Sequence, residues 1–332
     1  MSRARSEFDV IAALFAPLAK NAPGAFNLKD DAAAFDVGPG NEVVITLDTV
    51  IEGVHFLPDD PPDLVARKAL RVNLSDLAAK GAVPVGFLQA LSVNSAVTDA
   101  YLEQYARGLA ADVAEFNIPL LGGDTTSGPG PLAVSITAVG AVAKGKMIPR
   151  GGARPGDLLC VTGAIGDAAL GLDLLRGKLK IAGRANAEHL VARYRLPQPR
   201  LAAGAAIRGR AGACLDISDG LVADVGHICA ASRVAAIVER DKIPLSDAAR
   251  AAVTLDPGYW PRIFGGGDDY ELAFTLPHAY ADGLPRLAEA AGVPMTVIGR
   301  ITGPEDARLG AVTVLDGAGR PVEVPEGGYR HR

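Results

Sequence analysis

The sequence predicts a mixed α/β protein with two domains. Short runs rich in valine, isoleucine and leucine alternate with longer segments whose apolar residues recur every three or four positions, as in strands alternating with amphipathic helices. A length of 332 residues is enough for two domains of ordinary size. The segment 149–157 (PRGGARPGD) concentrates glycine, proline and charge, which is typical of a connection. We therefore predict an N-terminal domain over 1–148 and a C-terminal domain over 149–332.

The periodicity of apolar residues predicts the individual elements in chain order. The first twenty residues predict an amphipathic helix with Phe8, Ile11, Phe15 and Leu18 on one face. Strands are predicted over 43–47, 118–121, 133–142, 157–162, 235–239, 270–276, 296–301 and 312–315. Further helices are predicted over 63–80, 98–116 and 164–176. Together these elements predict mixed sheets, a combination of α/β and α+β character.

Composition and charge argue against several classes of function. The net charge is −5, and no run of basic residues is long enough to follow a phosphate backbone, so we expect no nucleic-acid partner. The apolar stretches fall short of the roughly 20 residues that span a bilayer. Cys160, Cys214 and Cys229 lack CxxC spacing, which predicts buried thiols in a reducing compartment. We expect a soluble, cytoplasmic protein without a membrane partner.

The most informative feature is the position of the aspartates. Aspartate usually collects in exposed turns, yet here several aspartates end predicted strands or lie in apolar segments. They are Asp30, Asp31, Asp48, Asp76, Asp124, Asp216, Asp219, Asp268 and Asp269. Each alone also fits a turn or a helix N-cap, but the repeated placement favours one shared site, because carboxylates at strand ends converge where α/β domains bind ligands. Such a cluster is tolerable with cations among the carboxylates or with carboxylates protonated, and oxygen-only ligands favour Mg2+.

Glycines beside two of these acids indicate an anionic ligand. Gly122 and Gly123 precede Asp124, and Gly265–Gly267 precede Asp268. Without a Cβ, the main-chain N–H groups can approach phosphate oxygens closely. An acidic site can accept an anionic ligand when metal ions bridge the two, as in phosphoryl transfer.

One phosphate-binding motif is a false match. The segment 140–146 (GAVAKGK) has the spacing of a P-loop as far as its lysine. Met147 follows where a serine or threonine would bind Mg2+, and Pro149 stands where a helix should begin. No GxGxxG follows a predicted strand either, so neither a P-loop nor a Rossmann site is indicated.

Six motifs, taken in order, resemble one enzyme family. They are KDDAA (29–33), TLDTVIEGVHF (46–56), NLSDLAAKGA (73–82), LGGDTT (121–126), DISDGL (216–221) and GGGDDYEL (265–272). This series resembles the thiamine-monophosphate kinase family, whose superfamily includes aminoimidazole ribonucleotide synthetase and selenophosphate synthetase. The resemblance spans about 8–329. It implies transfer of the γ-phosphoryl group of ATP to thiamine monophosphate, giving thiamine diphosphate and ADP. It also implies an N-terminal α/β domain whose sheet pairs in a homodimer and a larger C-terminal α/β domain.

The resemblance further implies roles for individual residues. The implied Mg2+ ligands are Asp31, Thr46, Leu47, Asp48, Asp76, Asp124, Asp216 and Asp219. Leu47 is a ligand if that position binds through its main-chain carbonyl, and one ligand is lost if the family uses a side-chain hydroxyl there. The implied ATP contacts are Gly123, Asp124, Arg150 and Ser218, and the implied substrate contacts are His55, Asp268 and Tyr329. No catalytic base is assigned, because the acceptor is a phosphate oxygen that is already ionised at neutral pH. Catalysis would then rest on positioning and on charge stabilisation by the metal ions.

Three residues depart from the family pattern. Lys29, Leu47 and Asp268 stand where the family usually has glycine, threonine and glutamate. His55 would also fit an ordinary surface or core position, and Arg150, in the predicted connection, would also fit a solvated position. The alternatives are another ATP-dependent synthetase of the superfamily and a nucleotide-binding maturation protein without kinase turnover.

Overall fold

The computed structural model describes residues 6–30, 32–303 and 310–324. The chain divides into two compact units, each built on its own sheet. Unit 1 comprises Met1–Leu77 and Ala82–Gly145, and unit 2 comprises Ala78–Gly81 and Lys146–Arg332. Both units combine helices with a mixed sheet, so the predicted fold class is confirmed. The predicted assignment of functions to the ranges 1–148 and 149–332 stays a prediction.

Unit 1 is built on a four-stranded sheet and two long helices. Its strands are β1 (Asn41–Ile51), β2 (Val83–Val93), β3 (Leu120–Ser127) and β4 (Ala133–Ala143). Its α-helices are α1 (Glu7–Val10), α2 (Pro62–Ala79, whose last two residues belong to unit 2) and α3 (Asp99–Phe116). The order across the sheet is β1-β4-β2-β3, and only the β2–β3 pair is parallel. The edge strands are therefore β1 and β3.

The sheet of unit 1 differs from the prediction in three strands. Strand β2 is missed because Pro84 and Gly86 interrupt its apolar pattern, and the structure places a register shift between them. A bulge of this kind is where a sheet tolerates proline. Strand β1 continues past Asp48, and β3 continues past Asp124 instead of ending at 121. Both carboxylates thus lie inside strands, and their prediction as strand-end residues is wrong.

The N-terminal segment is helical but not a single regular α-helix. After α1, a π-helical stretch covers Ile11–Phe15 and a 3-10 stretch covers Ala16–Ala19. Pro17 lacks the N–H that would continue the α-helical ladder. Phe15 and Leu18 are buried, as expected of an apolar helix face.

A buried ion pair joins α2 and α3. Arg71 Nε donates to Asp112 Oδ2 at 2.7 Å, and the two side chains are 1% and 0% exposed. Arg67 donates to the other oxygen of Asp112, also at 2.7 Å. Thr98 caps the start of α3 by accepting the N–H of Tyr101 at 3.2 Å. The ion pairs of Arg67 and Arg71 with Asp112 fix α2 against α3, and α2 carries the acidic side chain of Asp76, described below.

Unit 2 contains a six-stranded sheet in the order β10-β7-β9-β5-β8-β6. Its strands are β5 (Leu158–Thr162), β6 (Ala213–Asp216), β7 (Ala235–Glu239), β8 (Leu272–Leu276), β9 (Met295–Thr302) and β10 (Val312–Leu315). Its helices are α4 (Asp167–Leu175), α5 (Arg184–Arg195), α6 (Leu201–Ile207), α7 (Leu221–Ser232), α8 (Asp247–Leu255), α9 (Trp260–Gly265) and α10 (Leu284–Ala291). Only the β10–β7 pair is parallel. Helices α5 to α10 and strand β6 were not predicted.

Strands β5, β6 and β8 of the unit 2 sheet are buried on both faces. Every residue of Leu272–Leu276 is buried, and two apolar clusters pack around the strands. Strands covered on both faces read as continuous apolar runs, which is why β8 is recognisable in the sequence. Cys160, Cys214 and Cys229 are buried free thiols, as expected. Within the described ranges, every helix is too short or too polar to cross a bilayer; the cytoplasmic location stays a prediction.

Candidate functional site

In unit 1, β1 and α2 bring several of the predicted metal ligands together. Thr46 Oγ1 donates to Asp76 Oδ2 at 2.5 Å. The main-chain N–H of Asp48 donates to Asn73 Oδ1 at 3.0 Å, and Asn73 is fully buried one helical turn before Asp76. Asp76 is partly exposed and Asp48 is exposed. The oxygen atoms of Thr46, Asp48 and Asp76 therefore lie along one side of β1, and this donor set suits Mg2+.

Asp124 lies beside a cavity of about 260 Å3 in unit 1. Residues 122–125 form part of its lining, and Asp30 and Phe15 of the N-terminal segment also line it. Two acidic residues, Asp30 and Asp124, thus line one cavity. A Cβ on Gly123 would stand 2.0 Å from the carbonyl oxygen of Gln89. The pairing of β2 with β3 therefore requires this glycine, whether or not a phosphate approaches it.

Asp48 and Asp124 are not brought together within one chain. Asp48 is on β1 and Asp124 is on β3, the two opposite edges of the sheet, with β4 and β2 between them. Three strand spacings place these residues about 14 Å apart. One ion cannot contact both carboxylates at that separation.

One face of the unit 1 sheet is open and apolar. The exposed apolar side chains of its strands are Val43 (43%), Ile45 (63%), Leu47 (61%), Val83 (56%) and Leu88 (39%). Val43, Ile45 and Leu47 alternate along β1 and so share a face. Leu47 and Leu88 both lie opposite Thr137 in the register of β4, so the patch continues from β1 to β2. We call this surface the open face; patches of this kind mark interaction sites.

In unit 2, two loops carry the remaining acids and are joined to each other. Loop A is residues 216–220 (DISDG), and loop B is residues 265–271 (GGGDDYE). Asp268 N donates to Ser218 O at 2.8 Å, and Tyr270 N donates to Ile217 O at 2.9 Å. A Cβ on Gly267 would stand 2.4 Å from Ser218 O. The predicted residues Asp216, Ser218, Asp219 and Asp268 thus lie on one pair of interlocked loops, and packing accounts for this glycine of loop B.

Asp224 fixes the shape of loop A and was missed by the sequence reasoning. Its Oδ2 accepts the N–H groups of Ser218 (3.0 Å), Asp219 (2.9 Å) and Gly220 (3.1 Å). Burial, and then the charge of Asp219, raise the pKa of Asp224 to about 7, and the three N–H donors act in the opposite direction. Ligand atoms of Asp219, Asp224 and His227 lie within 4.8 Å of one another. One oxygen of Asp224 accepts three main-chain N–H groups, so this residue acts as a cap of loop A.

The residues predicted to contact phosphate groups lie in both units. His55 Nδ1 accepts the N–H of Ile51 at 3.0 Å, so a neutral His55 ring carries its proton on Nε2 and can donate from there. Arg150 is exposed, and the preceding carbonyl of Pro149 accepts the N–H of Cys214 on β6 at 2.9 Å.

Three predicted residues offer no side-chain ligand atom within the described part of the chain. Asp31 and Tyr329 lie outside the described residues. Leu47 has only a main-chain oxygen to offer a metal ion, because its side chain is apolar and belongs to the open face. The roles of these three residues, like those of the other predicted site residues, stay predictions.

Comparison with known proteins identifies the family. Residues 29–142 match AIR synthase related protein, N-terminal domain, and residues 154–311 match AIR synthase related protein, C-terminal domain. A thiamine-monophosphate kinase of Caulobacter vibrioides is 44% identical over 297 residues, which cover 89% of this chain and 83% of that protein. This chain belongs to the thiamine-monophosphate kinase family. The family predicted from the six ordered motifs is confirmed.

Solved structures of the thiamine-monophosphate kinase family share the fold. Thiamine-monophosphate kinase from Stenotrophomonas maltophilia K279a has a TM-score of 0.78 at 40% identity, covering 86% of this chain and 89% of that one. AaThiL complexed with AMPPCP and TMP has a TM-score of 0.75 at 29% identity, covering 99% of both chains. Hydrogenase maturation protein HypE in complex with ATP has a TM-score of 0.78 at 20% identity, over 98% of this chain and 96% of that one. This last likeness shows the fold alone.

Proposed function

We propose that this chain transfers the γ-phosphoryl group of ATP to thiamine monophosphate, giving thiamine diphosphate and ADP. The observation that carries the proposal is the AaThiL structure, which covers 99% of this chain and holds AMPPCP, an ATP analogue, together with TMP. The curated thiamine-monophosphate kinase at 44% identity supports the same reaction. The HypE likeness, at 20% identity, gives no comparable support for a maturation role.

We propose that the acidic side chains of both units bind Mg2+. The proposed ligands are Asp31, Thr46, the carbonyl of Leu47, Asp48, Asp76, Asp124, Asp216 and Asp219. Hydroxyl, carbonyl and carboxylate oxygens form this set, and these are the ligands that hard divalent cations prefer. Bound Mg2+ would neutralise the phosphate groups of nucleotide and acceptor and stabilise the charge that spreads over the transferring group.

The other proposed contacts orient the two substrates. Arg150 offers a planar fork of donors to the ATP phosphates, with Gly123 and Ser218 as further contacts. His55 Nε2–H would donate to the phosphate of thiamine monophosphate, and Asp268 would pair with the cationic thiazolium ring. Tyr329 is a further proposed substrate contact. The acceptor oxygen is already ionised, so the chain needs to supply position rather than a general base.

We also propose that the active form is a homodimer joined through the open faces of unit 1. A shared ion between Asp48 and Asp124 requires a second copy, because the two carboxylates stand on opposite edges of one sheet. The exposed side chains of Val43, Ile45 and Leu47 give the copies an apolar surface to bury. Metal ligation and apolar burial thus favour the same assembly.

A substrate screen tests the proposed reaction. The chain would be incubated with ATP, Mg2+ and one acceptor: thiamine monophosphate, thiamine or formylglycinamidine ribonucleotide. We expect thiamine diphosphate from thiamine monophosphate alone, and no product when EDTA removes Mg2+. Turnover of formylglycinamidine ribonucleotide would instead identify a synthetase of the superfamily. ATP binding with no product from any acceptor would favour a maturation protein.

A further inference from the structure

Loop B has an unusual main-chain conformation at the proposed substrate contact. Gly267, Asp268 and Tyr270 all have positive φ angles, of 70°, 65° and 51°. Residues with a Cβ rarely adopt this left-handed region, and such conformations persist only where the surroundings enforce them. The placement of Asp268 therefore depends on whatever holds the residues on either side of it.

The carboxylate of Asp269 is one of the groups that hold this conformation. Asp269 is 1% exposed, whereas its neighbour Asp268 is partly exposed. Asp269 Oδ2 accepts the N–H of Gly166 at 2.7 Å, and Oδ1 accepts the N–H of Ala168 at 3.3 Å. These donors lie at the start of α4, where main-chain N–H groups have no partner within the helix. The carboxylate thus ties loop B to a helix of the unit 2 core.

Arg193 of α5 holds Asp269 through the main-chain carbonyl of that residue. Arg193 Nη2 donates to the carbonyl oxygen of Asp269 at 3.0 Å and to Glu271 Oε1 at 2.9 Å. Glu271 is 1% exposed and also accepts from Arg200 Nε at 2.7 Å and from Thr162 Oγ1 at 2.7 Å. The guanidinium of Arg193 is therefore held in place while it fixes the peptide between Asp269 and Tyr270.

The two consecutive aspartates thus have different surroundings. Asp269 faces α4 and is enclosed, and burial raises its pKa to about 8 even though the Gly166 N–H favours its charged form. A group with this burial is unsuited to contact a substrate directly. The hydrogen bonds of Asp269 and Arg193 instead hold the main chain that directly follows Asp268.

We propose that Asp269 and Arg193 are positioning residues for thiamine monophosphate, which set the place of the Asp268 carboxylate by holding loop B in its left-handed conformation. The proposal rests on the proposed function, because it assigns Asp268 to the thiamine side of the reaction. It places the main effect of these residues on acceptor binding, because Asp224 separately holds loop A, which carries the proposed ATP contact Ser218.

Steady-state kinetics of Asp269→Ala and Asp269→Asn test the proposal. We expect Asp269→Ala to raise KM for thiamine monophosphate about tenfold or more, with KM for ATP and kcat changed less than about threefold. Asp269→Asn should fall between Asp269→Ala and wild type, because its one carbonyl oxygen can still accept an N–H. Arg193→Lys should shift the same constant in the same direction, since it removes the planar fork.

Asp157→Ala is the matched control. Asp157 is 6% exposed and also accepts a main-chain N–H, that of Arg154 at 2.9 Å, but in a different loop of unit 2. The Asp157→Ala variant should have a lower melting temperature than wild type, without a selective rise in KM for thiamine monophosphate. If Asp269→Ala does not fold, Asp269→Asn and Arg193→Lys give the same comparison.

The outcomes separate the two proposals. A wild-type protein that does not phosphorylate thiamine monophosphate overturns the proposed function, and the positioning role with it. An active wild type whose folded Asp269 and Arg193 variants keep KM for thiamine monophosphate overturns the positioning role alone. An equal rise of KM for both substrates would also overturn it, since that pattern indicates a general structural defect.

Discussion

Two inactive variants should restore each other's activity if each site needs a second copy. Asp48→Asn and Asp124→Asn each remove one carboxylate charge at nearly constant size. In one chain the two residues stand on opposite edge strands, about 14 Å apart. Oxygen ligands of one Mg2+ lie about 2.1 Å from the ion, hence no more than about 4.2 Å from each other. A shared ion would therefore use Asp48 of one copy and Asp124 of the partner subunit.

The symmetry of the proposed dimer sets the size of the recovery. In a mixed dimer, one site contains both asparagines and the other contains both aspartates. Random exchange of subunits makes half of the dimers mixed, so about one quarter of all sites are intact. We expect each variant alone to retain about 1% of wild-type activity or less, and the exchanged mixture to recover to about 25%.

The assay is thiamine diphosphate formation by dimers that carry one copy of each variant. Co-expression with two different affinity tags, followed by purification on both tags in turn, isolates the mixed dimers; these should reach about half of wild-type activity. The control is Asp48→Asn paired with itself through the same two tags, which should stay inactive. Mixed dimers as inactive as the single variants would refute the reasoning from strand order.

Three further predictions concern the acids and the stability of the units. Asp216→Asn should lower kcat about 100-fold or more through the loss of a proposed metal ligand, with an unchanged melting temperature in EDTA; near-normal turnover would contradict the assignment. Asp112→Asn weakens the partner of buried Arg71 and should lower the free energy of unfolding in urea by about 3–5 kcal/mol. Glu188→Gln, in the exposed pair with Arg184, should change the free energy of unfolding by less than about 0.5 kcal/mol. Similar losses in the two variants would contradict the prediction for Asp112→Asn. The hydrogen bond to Asp167 raises the pKa of His189. The His189–Asp167 pair therefore stabilises the fold fully below about pH 6.5, the pKa of an unfolded histidine, and this stabilisation is lost as the pH rises through the folded-state pKa. His189→Gln should therefore cost more stability at about pH 5.5 than at about pH 9, and an equal cost at both would contradict it.

The sequence predicts those features that depend on local pattern. Helices α2 and α3 are recognisable because their apolar residues repeat at helical spacing, and β8 because it is apolar throughout. The motifs around Asp76 and Asp216 are informative because acids in apolar segments are rare and their order along the chain is specific. Strand β2 is lost to the same local reasoning, because Pro84 is tolerated only through a bulge that depends on its neighbour β4.

Features that depend on distant pairing could not be predicted. The order β1-β4-β2-β3 separates Asp48 from Asp124, and nothing in either motif encodes which strands become edges. Asp224 caps loop A through three main-chain groups that only the folded loop brings together. Asp268 and Asp269 look equivalent in sequence, yet one is partly exposed and the other is buried against α4. In each case a contact between elements, and not the residue type, decides the role.

The transfer of a phosphoryl group to thiamine monophosphate, supported by Mg2+, is tested most directly by 31P nuclear magnetic resonance of a complete reaction. ATP, thiamine monophosphate and the protein would be followed with Mg2+ and then with excess EDTA. With Mg2+ we predict equal amounts of ADP and thiamine diphosphate, and no free phosphate or AMP. With excess EDTA we predict that ATP and thiamine monophosphate are not consumed. Release of inorganic phosphate without thiamine diphosphate, or equal product formation in EDTA, would contradict the proposed reaction.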